Sequence, residues 1–397
     1  MARDKDSTPC GRAFSVSRRK WVLSCIAAFS LEGLTSSVPA SVSRPDTRPA
    51  ICRGIDYIIR HQERDGAWRS FRYGVLKHNG ELTAFITYVL SRYCLDYSGV
   101  RQAVSKSISY LRNLDFSSIQ LSYPVYTFSF LSVVSTQDQN ERLSIKSADS
   151  LLNTLEKYRY GPDNGWTEND PHFGGWGYDV FYPSKNPKKQ IHYLGPNLSA
   201  TLFGLIAYRN SGIPVGDSRI NQIYEFVCRC QNIRNAAGMP AGDGGFFFSP
   251  TDTLRNKAGE IESKPHQQIF PSYGSTTADG LRALRLCGQH ENSPRIKAAR
   301  RWLLRNFSEN THPGLFVDAR ESIRDAYYYY YNWSIADVFR ESEDSTTRLI
   351  AQLSKALLRR QSANGSWENT LIDGKEDDPL IATPMAISSL VLLSSQV

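Results

Sequence analysis

The chain contains no apolar run approaching the roughly eighteen residues that a membrane-crossing helix needs, and no strand-like run of alternating apolar residues. It also lacks a nucleophile elbow, a phosphate-cradling glycine loop, a dinucleotide fingerprint and a zinc-protease helix. The chemistries that announce themselves by those spacings are therefore not signalled here. Cysteine is scarce in a useful sense: beyond residue 40 it occurs only at Cys52, Cys94, Cys228, Cys230 and Cys287, an odd set without regular spacing. That excludes a disulfide scaffold, and the single residue inside Cys228-Arg229-Cys230 is too few for a closed zinc knuckle. The formal charge is +8, but the arginines are scattered and are not interleaved with aromatics as in a nucleic-acid module. Weak attraction to anionic lipid or polysaccharide, hence peripheral membrane contact, is the most that this charge supports, and nucleic acid is not an expected partner.

The first forty residues differ from the rest. They carry six positive and three negative groups, so +3 of the formal +8 belongs to them and +5 to the remaining chain. Arg18-Arg19 stands directly before a short apolar stretch ending near Leu31, and Val38-Pro39-Ala40 offers the small residues a signal peptidase accepts. This pattern resembles a twin-arginine export leader over 1–40, cut after Ala40, followed by a linker over 41–50 and one domain over 51–397. It implies a periplasmic or extracellular protein. Trp21 in place of the usual phenylalanine and the early Glu32 keep a disordered basic tail on a cytoplasmic protein as the alternative.

One phrase is written near both ends of the chain. Tyr57-Ile58 leads to Gln62-x-x-x-Gly66-x-Trp68, and Leu357-Leu358 leads to Gln361-x-x-x-Gly365-x-Trp367. Partial copies run from Leu155 through Tyr158 to Gly165-Trp166 and Phe173 through Tyr178, from Ile223 through Gln231 to Gly242 through Phe246, and from Arg300 through Leu304 to Pro313 through Phe316. In such a phrase the glutamine amide reaches backbone groups freed at a helix end, the glycine takes the left-handed turn, and the ring covers the junction. Repetition of a helix end and its turn predicts one helical unit stacked around an axis, with loops of unequal length.

Apolar spacing predicts helices over 51–62, 81–95, 102–114, 125–134, 145–158 and from 197 to about 208, with Asn197 or Ser199 as the cap. Two long loops, 161–196 and 242–271, are rich in glycine, proline and aromatics, as loops over a cavity mouth are. Tyr327 to Tyr331 precede Asn332-Trp333. Five successive rings on a helix cannot share one face, so some line a cavity and others fill the space between helices.

The glutamine–tryptophan phrases resemble those of squalene and oxidosqualene cyclases, and residues 51–395 resemble the wider prenyltransferase and squalene-cyclase repeat superfamily. The blocks Phe173–Tyr178, Gly242–Phe247 and Ser272–Gly280 are similar to those of single-domain, squalene-cyclase-like bacterial proteins. The resemblance implies an all-α fold, an α/α toroid whose inner and outer helix rings enclose a cavity, and a polyisoprenoid or other lipid ligand without a cofactor. Cyclases of this group protonate an alkene or epoxide with the middle acid of an Asp-x-Asp-Asp motif. That motif is absent here, and the nearest acidic cluster is Glu376-Asp377-Asp378. Adjacent acids in an apolar mouth share a raised pKa suited to a general acid, while the same cluster before Pro379 also reads as a solvated turn and helix start. The zinc ligands of the protein prenyltransferases, an Asp two residues before a Cys, are missing as well, so no metal is expected.

The rings of Trp176 and Tyr178, then Asp243 and Phe246, Tyr273 and Asp279, and Tyr329 and Trp333 are the candidates for lining the cavity. Glu168, Asp170 and His172 form a further polar group in the first long loop. Three functions stay open at this point: acid-initiated cyclisation or isomerisation of a polyisoprenoid, an exported toroid that only binds lipid, glycan or protein, and a carbohydrate-active toroid whose aromatic loops stack sugars.

Overall fold

The computed structural model describes residues 43–394 apart from 79, 138–147, 186–192, 234–241, 265–266 and 341–345. The leader expected over 1–40 and its cleavage site lie outside the described residues. Among the described residues, twelve helices of ten or more residues follow one another. They are α1 (Arg48–Arg60), α2 (Glu81–Tyr93), α3 (Val100–Asn113), α4 (Pro124–Gln137), α5 (Ala148–Lys157), α6 (Leu198–Asn210), α7 (Ser218–Arg229), α8 (Gly274–Leu286), α9 (Pro294–Asn306), α10 (Tyr328–Phe339), α11 (Thr347–Arg359) and α12 (Pro379–Ser394). A one-turn helix at Asp318–Glu321 and a small antiparallel hairpin, Ile261–Lys264 with Gln267–Ile269, sit in the connecting loops.

Burial separates the helices into two kinds. Every residue of α6 from Leu198 to Tyr208 is buried, and a helix apolar all round belongs inside. By contrast, α7 buries only Ile220, Ile223, Phe226 and Val227, a single stripe. The even-numbered helices pack side by side, α2 on α4, α4 on α6, α6 on α8, α8 on α10, α10 on α12, and α12 back on α2. That closes an inner ring of six, with the odd-numbered helices outside it: an α/α toroid. Asn197 caps α6 through Oδ1, which accepts from Ala200 N at 2.9 Å. No described helix is long and apolar enough to cross a membrane.

The turns between outer and inner helices carry the joints. Trp68 is buried with its Nε1 donating to Ile58 O at 2.8 Å, and Trp367 repeats this with Leu357 O at 2.8 Å. Gln62 Nε2 donates to Gly66 O at 2.9 Å and to Ala103 O on α3 at 2.8 Å. Gln361 Nε2 does the same with Gly365 O at 2.9 Å and Ala50 O on α1 at 2.8 Å. The second set joins the last outer helix to the first. Gly365 has φ +96°, and a Cβ there would stand 2.5 Å from Arg53 O, so only glycine lets the turn approach α1 so closely.

A threonine on the following inner helix completes four of the joints, and nothing in the repeated phrase pointed to it. Thr83 Oγ1 accepts from Trp68 N at 3.0 Å and donates to Trp68 O at 3.1 Å. The same group takes the backbone N–H of Trp176 at Thr201, of Phe246 at Thr277 and of Trp367 at Thr383, each at 3.0 Å. Here Trp176 occupies the ring position, not Trp166, and Phe246 takes it in the third copy with Gln231 Nε2 bridging Gly244 O and Arg295 O at 3.0 Å. The copy at Pro313–Phe316 differs: Gly274 N donates to Pro313 O at 2.8 Å, so this loop pairs with the start of α8.

Replacing Thr383 by Val leaves the buried Trp367 N–H without an acceptor and is expected to lower unfolding free energy by about 1–3 kcal/mol, with Thr383→Ser recovering most of it. Urea unfolding of the two variants checks this; a valine variant as stable as wild type would remove the threonine from the joint.

Candidate functional site

Because the inner helices all start at the same end of the ring, their first turns enclose a chamber there. Its volume is about 480 Å³. Side chains some five residues into the inner helices form the floor: Phe85, Phe130, Phe203 and Trp333. Their rings touch in tilted and edge-on pairs, with centroids 5.5 Å apart for Phe85 and Phe130, 5.2 Å for Phe130 and Phe203, and 5.6 Å for Phe203 and Trp333. Such a floor is apolar and presents ring faces, whose negative quadrupole attracts cations.

Polar groups on the wall are few and joined. Tyr178 OH lies 3.2 Å from Tyr126 OH, which donates to Ser199 Oγ at 2.9 Å; Ser199 in turn bonds Tyr330 OH, which donates to Asp279 Oδ2 at 2.8 Å. Asp279 Oδ1 accepts from Ser334 Oγ at 2.6 Å and faces Arg282 at 3.5 Å. Arg282 is shared with Asp337 at 2.6 Å. Burial pushes the Asp279 carboxyl up, against the pull of Arg282 and its two hydroxyl donors.

Glu81, the first residue of α2, is the odd group. Its Oε1 accepts from Tyr123 N at 2.7 Å, while its Oε2 is buried without a hydrogen-bond partner among the described residues. Burial raises this carboxyl to about 7, and the backbone donors of the Tyr123 turn only partly offset that. With Oε1 held as an acceptor, the protonated form carries its proton on Oε2.

Loops form the mouth, where Arg255, Lys257, Arg320 and Lys375 stand among the lining residues. The Lys257 ammonium lies 4.5 Å from the Phe248 ring centre and 4.1 Å from that of Tyr327. Desolvation lowers its pKa to about 8.

The candidate residues divide. Tyr178, Tyr273, Asp279 and Trp333 line the chamber. Trp176 and Phe246 are buried in the turn joints instead. Asp243 is a structural anchor, accepting from Trp302 Nε1 at 2.8 Å, Ser272 Oγ at 2.7 Å and Gly245 N at 2.9 Å. Of the tyrosine run, Tyr327 and Tyr330 face the chamber. Tyr329 turns away, its hydroxyl donating to Glu368 O at 3.2 Å, and Tyr331 stacks on His312.

The acidic cluster is pulled apart. Glu376 reaches the chamber wall, but its Oε1 and Oε2 accept from Tyr330 N at 2.7 Å and Tyr329 N at 2.8 Å, capping the start of α10. Burial still raises it, to about 8. Asp377 pairs with Arg72 at 3.2 Å and bonds Tyr73 OH. Asp378 caps α12, accepting from Leu380 N at 2.9 Å, and bonds Ser70. Neither aspartate is among the lining residues. In the first long loop Glu168 is exposed, Asp170 pairs with Lys185, and His172 Nε2 meets Thr251 Oγ1 at 2.7 Å, so Asp170 and His172 have different hydrogen-bond partners. Among the described residues, no group of three or more His, Cys, Asp or Glu is placed to hold a metal ion.

Sequence reasoning missed Glu81, Tyr126, Ser199, Phe203, Lys257 and Tyr330. Most of them share one signal, a place in the first two turns of an inner helix.

No protein-family model matches the sequence, and no curated protein matches it. Among solved structures the chain is similar to the ligand-free type II terpene cyclase MstE from Scytonema, at 12% identity and a TM-score of 0.52 over 87% of this chain and 96% of that one. A variant of that cyclase in complex with its substrate geranylgeranyl dihydroxybenzoate matches with 12% identity, a TM-score of 0.51 and the same coverage. The GH76A α-1,6-mannanase from Salegentibacter sp. HEL1_6 matches with 10% identity and a TM-score of 0.53 over 88% and 98% of the two chains. At these identities the likeness is one of fold: the chain is an α/α toroid, an architecture it has in common with a terpene cyclase and with a glycoside hydrolase.

Proposed function

We propose that this is a squalene-cyclase-like protein whose chamber takes an elongated polyisoprenoid, and that Glu81 starts its cyclisation or isomerisation by protonating a double bond or epoxide. The observation that carries the reading is the buried, unpartnered Glu81 Oε2 in the wall of an aromatic chamber. The Oε2 proton moves to an alkene carbon, whose π electrons form the new C–H bond and leave a cation on the neighbouring carbon. Attack by an internal double bond moves that charge along the chain, past the faces of Phe85, Phe203 and Trp333. The reaction ends when a proton leaves the final cation; the hydroxyl chain of Tyr126, Ser199 and Tyr330 leads from the wall to Asp279, the acceptor. Asp279 then releases that proton through the same hydroxyls to water at the mouth, and Glu81 takes one back from there, so the cycle closes with no net change in protons.

The terpene cyclase solved with a prenylated benzoate supports a prenyl ligand, and the mannanase supports a sugar. The carboxyls favour the first. Glycoside hydrolysis uses two of them, whereas here Asp279 and Glu376 have both oxygens hydrogen-bonded and only Glu81, among the buried lining acids, has a free one.

Incubation with linear C15 to C30 isoprenoids, read by gas chromatography and mass spectrometry, tests the proposal; those lengths are roughly what the family resemblance implies. Cyclised or isomerised product is expected, reduced about 10²–10⁴-fold in Glu81→Gln, while isoprenoid quenching of Trp333 fluorescence persists. Hydrolysis of mannan by the wild type with no isoprenoid product would reject it. The protonated carboxyl is the reactive form, so the rate is full on the acid side and falls as pH rises through about 7.

Stability carries the same signature with a defined sign. The unfolded chain ionises this group near 4.5 and the folded chain near 7, so wild type is expected to lose stability relative to Glu81→Gln as pH climbs between those values and to show a constant gap above them. Melting temperatures of both proteins across that range check it. Glu376→Ala separates a cap from an acid: it deprives two buried N–H groups of their acceptor and is expected to cost about 1–3 kcal/mol. The folded fraction should keep its rate per molecule, and loss of turnover at full folding would move the acid to Glu376.

A further inference from the structure

One lysine of the chamber wall is firmly placed and left without a partner. Lys257 stands between Asn256 and Ala258, both buried, on a turn that the Asn256 side chain ties down. Asn256 Oδ1 accepts from Phe248 N at 2.8 Å, and its Nδ2 donates to Ser249 O at 2.8 Å and Asp252 O at 2.6 Å. Val317 N donates to Ala258 O at 2.9 Å and pins the other side. The backbone at Lys257 is therefore fixed, and its ammonium lies in the chamber lining against the Phe248 and Tyr327 rings, 4.5 and 4.1 Å from their centres.

Ion pairing does not explain this placement. Lys257 Nζ makes no hydrogen bond or ion pair with a described residue, and Asp252, the carboxylate that acts on it most, is taken by Arg255 at 3.0 Å. Arg255 and Arg320 add like charge, which together with desolvation favours the neutral amine. Desolvation and neighbouring cations are what turn a lysine into a nucleophile toward carbonyl carbon.

Tyr273 supplies a second, independent observation. It lines the same chamber, is fully buried, and its hydroxyl has no partner at hydrogen-bonding geometry among the described residues. The backbone N–H of Lys257 approaches the hydroxyl oxygen, so even there the O–H proton has no acceptor. Burial holds this phenol in its protonated, donating form. A buried donor of that kind calls for an acceptor on the ligand.

We propose that Lys257 forms an imine with an apolar aldehyde or ketone in the chamber, with Tyr273 donating a hydrogen bond to the carbonyl oxygen. The Nζ lone pair makes the new C–N bond while the C=O π pair moves to oxygen. Both N–H protons of the neutral amine pass to that oxygen, which departs as water as the nitrogen pair closes C=N. No oxidant or reductant takes part, and hydrolysis returns both partners. The inference takes from the function proposed above only the apolar chamber, not the acid.

Farnesal, an isoprenoid aldehyde, tests it in the presence of cyanoborohydride, whose hydride reduces the imine to a secondary amine that peptide mass spectrometry locates. With equimolar aldehyde the adduct is expected at Lys257, formed about tenfold or more faster than at the exposed Lys297 and Lys355, since an amine titrating near 8 holds more free base at neutral pH than an ordinary lysine. Lys257→Arg keeps the cation and should lose that adduct, with labelling of Lys297 and Lys355 and the melting temperature unchanged. Tyr273→Phe should slow trapping about tenfold with Lys257 still the site. Labelling spread evenly over the lysines overturns the proposal. So does farnesoic acid bound equally by wild type and Lys257→Arg but weakly by Lys257→Met, with no adduct trapped, because Lys257 would then be a cation for an anionic ligand. An adduct at Lys257 without cyclised product from linear isoprenoids leaves this inference standing and the proposed function fallen, and the reverse result does the opposite.

Discussion

A ring of helices has no end, and its closure rests on a few hydrogen bonds made by side-chain amides. Gln62 and Gln361 each reach both the glycine of their own turn and a carbonyl of a neighbouring outer helix. The bond from Gln361 to Ala50 O spans 311 positions of sequence and joins the last outer helix to the first. Such a contact has a large loop-closure cost, which the buried tryptophan beside it offsets through its apolar area and its own satisfied N–H. The threonine of the next inner helix then fixes where that helix begins. Since the chamber is made from the first turns of inner helices, the joints set its shape before any lining residue is chosen.

The joint explains which parts of the molecule were readable in one dimension. Gln361, Gly365 and Trp367 act within seven residues of chain, so their spacing is visible and the turn can be inferred. Their partners Ala50 and Arg53 are three hundred residues away, and Thr383 follows a loop whose length varies from joint to joint. The helix periods and the capping role of Asn197 were legible for the same local reason. The chamber was less so. Tyr178 was found through the glycine-rich block Phe173–Tyr178 and Trp333 through the tyrosine run before it, while Trp176, from the same block as Tyr178, went to a joint.

The acids show why composition misleads about chemistry. Three adjacent carboxyls read as a reactive cluster, yet each meets a different set of donors once the loop folds: two backbone N–H groups for Glu376, Arg72 and Tyr73 for Asp377, and the start of α12 for Asp378. A lone Glu81 at a helix start reads as a favourable charge near a positive helix end. In the fold it is buried with one oxygen unanswered by any described residue, and desolvation outweighs the backbone donors of the Tyr123 turn. The sequence carries no mark of that oxygen, because what defines it is the absence of a neighbour in three dimensions.

One free carboxyl and a run of hydroxyls constrain the chemistry more than the toroid does. A terpene cyclase and a mannanase share the architecture with this chain, so helices around a cavity do not discriminate between them. What differs is the use of protons. Hydrolysis of a sugar bond needs an acid and a second carboxyl placed together across the scissile bond, and water must reach the site. Cation cyclisation needs one acid, a wall that offers ring faces in place of nucleophiles, and a route by which the last proton leaves. In the reaction we propose, Glu81, the floor around Trp333 and the hydroxyl chain ending at Asp279 are assigned those three roles in that order. Asp279 also faces Arg282, which Asp337 holds in place, so a fixed cation opposes the burial that pushes this carboxyl up.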